Sequence, residues 1–239
     1  MRGQQITLGI ETSNPSAGGG GEGGGRAGVA LARIESGSIV EVLATEMIPE
    51  GRRHDDQLMP AIDRLARAAG VQPGDIRCVA VSIGPGGFTA LRIATATAKM
   101  LAFATGARCV GVPSGSVVAR RVQQAGPFAV ALASKNDRAF VTIFEDPDHP
   151  RGPGELMDAN RIQRLDVSML VADQFLPAPL AQAALSRSIH LQPPTFDPVA
   201  CIEASVRLDP IDPPDLAPLY GREPEAVTKW RRLRAERDR

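Results

Sequence analysis

The sequence predicts an α/β protein, and three observations carry that reading. Residues 1–48 hold three consecutive strand-like runs, and residues 54–133 alternate helical spacing with short apolar runs. Within that stretch a strand, a glycine turn and a helix follow one another at 76–105. The length of 239 residues suits one large domain or two lobes, and should bury roughly 70–75% of the unfolded chain's surface. Hydrophobic residues make up 43% and charged residues 23%, an ordinary globular balance that excludes wholesale disorder. Lys and Arg total 27 against 27 Asp and Glu, which argues against a dedicated nucleic-acid binder. No apolar run approaches the roughly 20 residues needed to span a bilayer. The segment Ile6–Ile10 is too short and polar-flanked for a signal peptide, so the expected address is the cytoplasm, with no membrane contact.

Residues 4–13 (QQITLGIETS) read as a buried strand entering a polar turn. A tract from Gly18 to Gly25, broken only by Glu22, separates it from strand patterns at Gly28–Ile34 and Ser38–Ile48. Gly19, Gly21 and Gly24 satisfy GxGxxG, but repetitive glycine does so trivially, and a flexible hairpin loop is the better reading. Over 54–69, Leu58, Ile62, Leu65 and Ala69 fall at helical spacing. Asp55 and Asp56 suit the N-terminal end and Gly70 the stop, while Pro60 should bend the helix or shift its start. Ile76–Ile83 is an apolar strand ending in Gly84-Pro85-Gly86-Gly87-Phe88-Thr89, with a helix over 90–105 whose first amides can face an anion.

A strand (Arg108–Val112), a helix (Ser114–Gln124) and a strand (Phe128–Ala133) continue the alternation, and Asn136-Asp137 turns the chain into Phe140–Glu145. Thirteen of the 20 prolines lie from Pro147 onward, so the last third should be less regular. It is expected to hold one or two short helices around 155–175 and another near 199–207. The tail, Glu225–Arg239, is basic and helical by propensity; a solvated helix whose Trp230 docks on the body is a better reading than direct RNA contact. No sequence repeat is visible. The three cysteines, Cys78, Cys109 and Cys201, form no CxxC and read as buried hydrophobes, and His54, His149 and His190 form no HxxxH or HExxH.

Four segments, in order, resemble the TsaB (YeaZ) family, which serves the synthesis of N6-threonylcarbamoyladenosine (t6A) in tRNA. They are LGIETS at 8–13, HDDQLMPAIDRLARAAG at 54–70, VAVSIGPGGFTALRIATATAKMLAFATG at 79–106 and, more weakly, ALASKNDRAFVTIFE at 131–145. PLYGREPEA at 218–226 is similar to the family's terminal YLR segment. The likeness is good over about residues 1–145 and thin over 146–215.

The resemblance implies a two-lobed fold of the actin and sugar-kinase (ASKHA) type with an abbreviated second lobe. Residues 1–112 would form the first lobe, with the tail 216–239 packed on it, and 113–215 the second. It implies a non-catalytic partner and activator of TsaD, the paralogue that transfers the threonylcarbamoyl group to adenosine 37 of ANN-decoding tRNAs. TsaD-like enzymes carry a metal-binding His-x-x-x-His soon after the GPG helix, where this chain has Gly111-Val112-Pro113-Ser114-Gly115-Ser116-Val117. They also carry a late glycine-rich nucleotide motif, and no Gly-Gly pair follows Gly87 here. Pro and Ser cannot replace imidazole ligands, so no catalytic residue and no metal site are expected.

By the same resemblance the partner interface is expected on the helices at 54–70 and 90–105, through His54, Gln57, Leu58, Ala61, Leu91, Arg92, Thr95, Ala98, Lys99 and Ala102. The partners implied are a TsaD-like protein as heterodimer, a TsaE-like ATPase in a larger complex, a second copy when the chain is alone, and tRNA only indirectly. Where the family reads GPGSFTG this chain reads GPGGFTA, and Ala94 and Met100 stand where the family often has Gly, which makes the helix bulkier. No intrinsic cofactor is expected; ATP or ADP would sit only at the joint with TsaD. Glu11, Thr12, Ser13, Gly84 and Gly86 are the candidate nucleotide contacts. For Glu11 a strand-end carboxylate bonded to loop amides is the simpler reading. For the glycine turn, close helix approach and phosphate binding are evenly matched.

Ser13, Ser82 and Ser114 invite a serine-hydrolase or peptidase reading, but no GxSxG elbow and no placed base support it. The alternative from another class is an independent ASKHA-type nucleotide-dependent phosphotransferase or hydrolase. A third is a self-associating paralogue without a TsaD partner.

Overall fold

The centre of the first lobe is β1 (Gln5–Glu11), whose Leu8 and Ile10 point to one face and Thr7 and Gly9 to the other, as strand geometry requires. The protein is described from a computed structural model covering residues 4–14, 27–48, 54–221, 230 and 233–234. β1 runs antiparallel to β2 (Gly28–Glu35), which pairs antiparallel with the edge strand β3 (Ser38–Met47). On its other side β1 is parallel to β4 (Ile76–Gly84), and β4 is parallel to β5 (Arg108–Pro113), giving the order β3-β2-β1-β4-β5.

Two helices cover one face of this sheet. Helix α1 (His54–Ala68) buries Leu58, Ala61, Ile62 and Leu65, and continues through the exposed Pro60. Helix α2 (Phe88–Thr105) buries Leu91, Ala94, Thr95, Ala98 and Ala102. Its small side chains let it lie close on the sheet among Leu8, Ile10, Val79 and Val81. Gly106, at φ 71°, ends α2 in the left-handed conformation a side chain disfavours, and its N–H bonds Ala102 O.

The opposite face packs against α6 (Pro198–Ser205). Gly9 is needed there, because a Cβ on it would stand 2.5 Å from the Pro198 carbonyl oxygen and 2.6 Å from Ile202. Thus α6, within the span 113–215, lies on the first sheet. Leu216 is buried in the first core and Leu219 N–H donates to Ile83 O at 2.7 Å, so the chain returns to the first lobe at 216–219.

Helix α3 (Ser114–Ala119) leads from the first sheet to the second. There β6 (Phe128–Lys135) is antiparallel to β7 (Arg138–Asp146) and parallel to β10 (Met169–Ala172), and β10 is parallel to β11 (His190–Gln192). Short strands β8 (His149–Pro150) and β9 (Glu155–Met157) both pair with β7. Helices α4 (Ala159–Ile162) and α5 (Ala178–Ser186) contribute to its core of Val141, Ile162, Leu170 and Leu180. A central strand with one antiparallel and one parallel neighbour recurs in both lobes, a structural repeat the sequence does not display.

Several expectations change. The helix expected over 114–124 ends at Ala119. The region 155–175 holds one four-residue helix and two strands, because the buried run Met169-Leu170-Val171-Ala172 is too short for periodicity to separate strand from helix. Helix α5 was hidden by its prolines, which here occupy its start, where a missing N–H costs nothing. The Gly18–Gly25 tract lies outside the described residues, as does the tail apart from Trp230, Leu233 and Arg234.

Candidate functional site

The carboxyl ends of β1, β4 and β5 bring Glu11, Thr12, Ser13, Ser82 and Ser114 together, all buried. Parallel strands end here on one side of the sheet, the usual place for a ligand crevice in an open α/β sheet. Glu11 Oε1 accepts the Ser13 N–H at 2.7 Å and the Ser13 hydroxyl at 2.6 Å. Burial raises the Glu11 pKa, opposed by those two hydrogen bonds. Glu11 Oε2 and Thr12 Oγ1 are buried and make no hydrogen bond within the chain. Ser82 Oγ and Ser114 Oγ share a bond of 2.9 Å. The three serines singled out in the sequence therefore meet, but no described histidine lies with them: His149 pairs with Asp146 in an exposed turn, and His190 opens β11. All three hydroxyls are buried, that of Ser13 against the Glu11 carboxylate and those of Ser82 and Ser114 against each other.

The glycine turn at Gly84–Gly87 is filled from within. Gly87 N–H donates to Ser13 O at 2.7 Å, and Asn14 Nδ2 donates to Ser13 Oγ at 3.0 Å and to Pro85 O at 3.3 Å. A Cβ on Gly86 would stand 2.1 Å from Ser13 O. Gly84, at φ 113°, has the Leu219 carbonyl oxygen 2.5 Å from where its Cβ would be. A phosphate would compete with the chain's own Ser13 carbonyl for the Gly87 amide, so this turn as built does not fit one. Among the described residues no group of three His, Cys, Asp or Glu side chains comes together as a metal cluster.

The second candidate surface is the outer face of α1 and α2. Leu58, Ala61, Leu91, Thr95, Ala98 and Ala102, expected at a partner interface, are instead buried against the protein's own sheet. Small residues there serve the approach of helix to sheet, and this corrects the expected contact set. Gln57 is half-buried and the His54 side chain lies outside what is described. Lys99 Nζ donates to Pro214 O at 3.0 Å, tying α2 to the returning chain. Of the expected set, Arg92 is exposed, its guanidinium 5.3 Å from the centre of the Phe88 ring. Phe88 in turn stacks on Tyr220 at 5.2 Å.

What faces outward is a stripe the sequence reading missed. Phe88, Met100 and Phe103 are 52%, 68% and 65% exposed, and Met59 on the neighbouring α1 is 50% exposed. Phe88, Arg92, Ala96, Met100 and Phe103 recur at spacings of four, four, four and three, so the signal was present in the helical period once the alanines are given to the sheet. Of the two residues bulkier than the family's usual Gly, Ala94 faces inward and Met100 outward.

The two sheets, each with its helices, define a two-lobed α/β protein. Two Pseudomonas aeruginosa structures share this fold. One, an uncharacterized protein with similarity to peptidase YEAZ, has 19% identity and a TM-score of 0.67, covering 91% of this chain and 100% of that one. The other, YeaZ, has 18% identity and a TM-score of 0.64, covering 90% of this chain and 99% of that one. Residues 42–158 match the family model described as TsaD: tRNA N6-adenosine threonylcarbamoyltransferase. The chain thus carries a TsaD-like segment over residues 42–158 on a fold it shares with the two YeaZ-type structures.

Proposed function

We propose that this chain is a non-catalytic partner and activator of a TsaD-type threonylcarbamoyltransferase, required for t6A formation at position 37 of ANN-decoding tRNAs. The observation that carries the reading is the apolar stripe of Phe88, Met100, Phe103 and Met59, outward on two adjacent helices of a TsaD-family domain. Large apolar side chains left outward on neighbouring helices are the raw material of a protein interface. The self-filled glycine turn adds to it, since a chain that satisfies its own crevice has less use for a phosphate there. On this proposal TsaD supplies the chemistry and most of the tRNA contact. A TsaE-like ATPase joins the larger assembly, and without TsaD the same stripe serves a second copy.

Co-purification with a TsaD homologue tests the proposal, and failure to associate at micromolar concentration would overturn it. Met100→Glu or Phe103→Glu should weaken pairing by about 30-fold or more, the effect of losing a roughly 2 kcal/mol anchor. Ala98→Glu is the wrong probe, because it places a charge in the core. Calorimetric titration with ATP and magnesium decides against the other class. Tight binding with turnover by the isolated chain would replace the partner reading with a phosphotransferase or hydrolase.

A further inference from the structure

Helix α6 is too short for the sheet face it covers. Its eight residues span about 12 Å, whereas the seven of β1 span about 23 Å. It lies over Gly9 and Ala80 and stops at Ser205, so the first residues of β1, β4 and β5 project beyond it. The chain then crosses that end of the sheet through Val206–Pro210 and rejoins β5 where Ile211 N–H donates to Cys109 O at 2.8 Å. A cavity of about 470 Å³ remains beneath this crossing, within the range of small-molecule sites at roughly 300–1,000 Å³. It lies at the opposite end of the strands from Glu11 and Gly84, and no role described above uses it.

The lining has a definite chemistry. Thr7 is 2% exposed, and its hydroxyl finds no nitrogen or oxygen partner within the chain, only the Cys78 thiol. Beside it is Cys78, whose burial pushes the thiol up to about 11, leaving it neutral. Arg108 stands exposed and donates to Gln5 Oε1 at 2.8 Å, with no carboxylate partner among the described residues. Asp209, also exposed, has no cationic partner among them. Arg207, by contrast, is neutralised by Asp148 at 2.9 Å. Among the described residues the cavity thus offers a cation and an anion without counter-ions and a buried hydroxyl with no nitrogen or oxygen partner.

We propose that this cavity binds a small zwitterion of the amino-acid class. Its carboxylate pairs with Arg108, its ammonium with Asp209, and a polar side chain reaches the Thr7 hydroxyl. A plain anion would leave Asp209 facing like charge, and an apolar molecule would leave Thr7 with only the Cys78 thiol, at a desolvation cost. The site is independent of the partner reading, and its failure would leave that reading untouched.

Calorimetric titration of the full chain with L-serine, L-alanine and acetate tests it, with thermal melts confirming that each variant is folded. L-serine should bind saturably, and Arg108→Ala and Asp209→Asn should each weaken it by about 10-fold. Thr7→Val should remove any preference for L-serine over L-alanine. If Arg108→Ala fails to fold, Asp209→Asn, on an exposed segment, gives the same readout. No saturable binding of L-serine would overturn the proposal. So would L-serine binding indifferent to Asp209→Asn, or acetate binding that equals it.

Discussion

Glu11 closes β1 with its carboxyl fully enclosed, one oxygen bonded twice to Ser13 and the other to nothing in the chain. Burial raises its folded pKa above the usual 4.5, so the folded state binds the proton more tightly than the unfolded chain does. A group with that sign stabilises fully below pH 4.5, and its contribution is lost as the pH rises through the folded value. Glu11→Gln keeps an acceptor for Ser13 while removing the buried charge. It should therefore melt higher than the parent at pH 7, by roughly 2–4 °C for each kcal/mol of relief. The gap should close on acidification below pH 4.5, and thermal melts across pH 3.5–8 check this. Gly86 makes the opposite case. A methyl group there would meet the Ser13 carbonyl at 2.1 Å, in a junction that also fixes the start of α2. Gly86→Ala should cost about 2–3 kcal/mol, read from the shift of a urea unfolding midpoint.

The elements show which sequence signals were sufficient. Strands β1 to β4 and helices α1 and α2 were legible because each is long and bounded by turn residues. The second sheet was legible only in its β6–β7 hairpin. Its strands β8 to β11 have two to four residues each, below the length at which alternation carries information. Helix α3 ends at Ala119, and Arg120 and Arg121 just beyond it are held by acidic partners from other elements. The candidate site divides the same way. The glycine turn was plain in the sequence, but that Ser13 fills it requires two segments some 70 residues apart to meet. On α2 both faces are apolar, and only the sheet decides which one is spent on the core. Leu91, Ala94, Ala98 and Ala102 take that place because a close approach favours small side chains, and Met100 and Phe103 are left outside.

At the scale of the whole molecule, the two lobes are joined by a set of charges around the end of α3. Arg121 lies between Asp197, the N-cap of α6, and Glu203 within it, at 2.6 Å and 2.7 Å. Arg120 pairs with Asp148 in the β7–β8 turn of the second sheet and donates to the Glu203 carbonyl at 3.2 Å. Arg207, just past α6, also pairs with Asp148. Asp148, in the second lobe, is thus gripped by two cations, one at the end of α3 and one just past α6. At 23% side-chain exposure it is screened little by salt. Removing its charge leaves Arg120, only 16% exposed, without its counter-ion, and Arg207 without a partner. Asp148→Asn should cost about 1–3 kcal/mol, concentrated where the lobes meet. Hydrogen exchange should accelerate in α6 and the β7–β8 turn while β1, β4 and α2 keep their protection, and the difference should persist in 0.5 M salt. Uniform acceleration, or none, would show that the lobes are held by their apolar contacts alone.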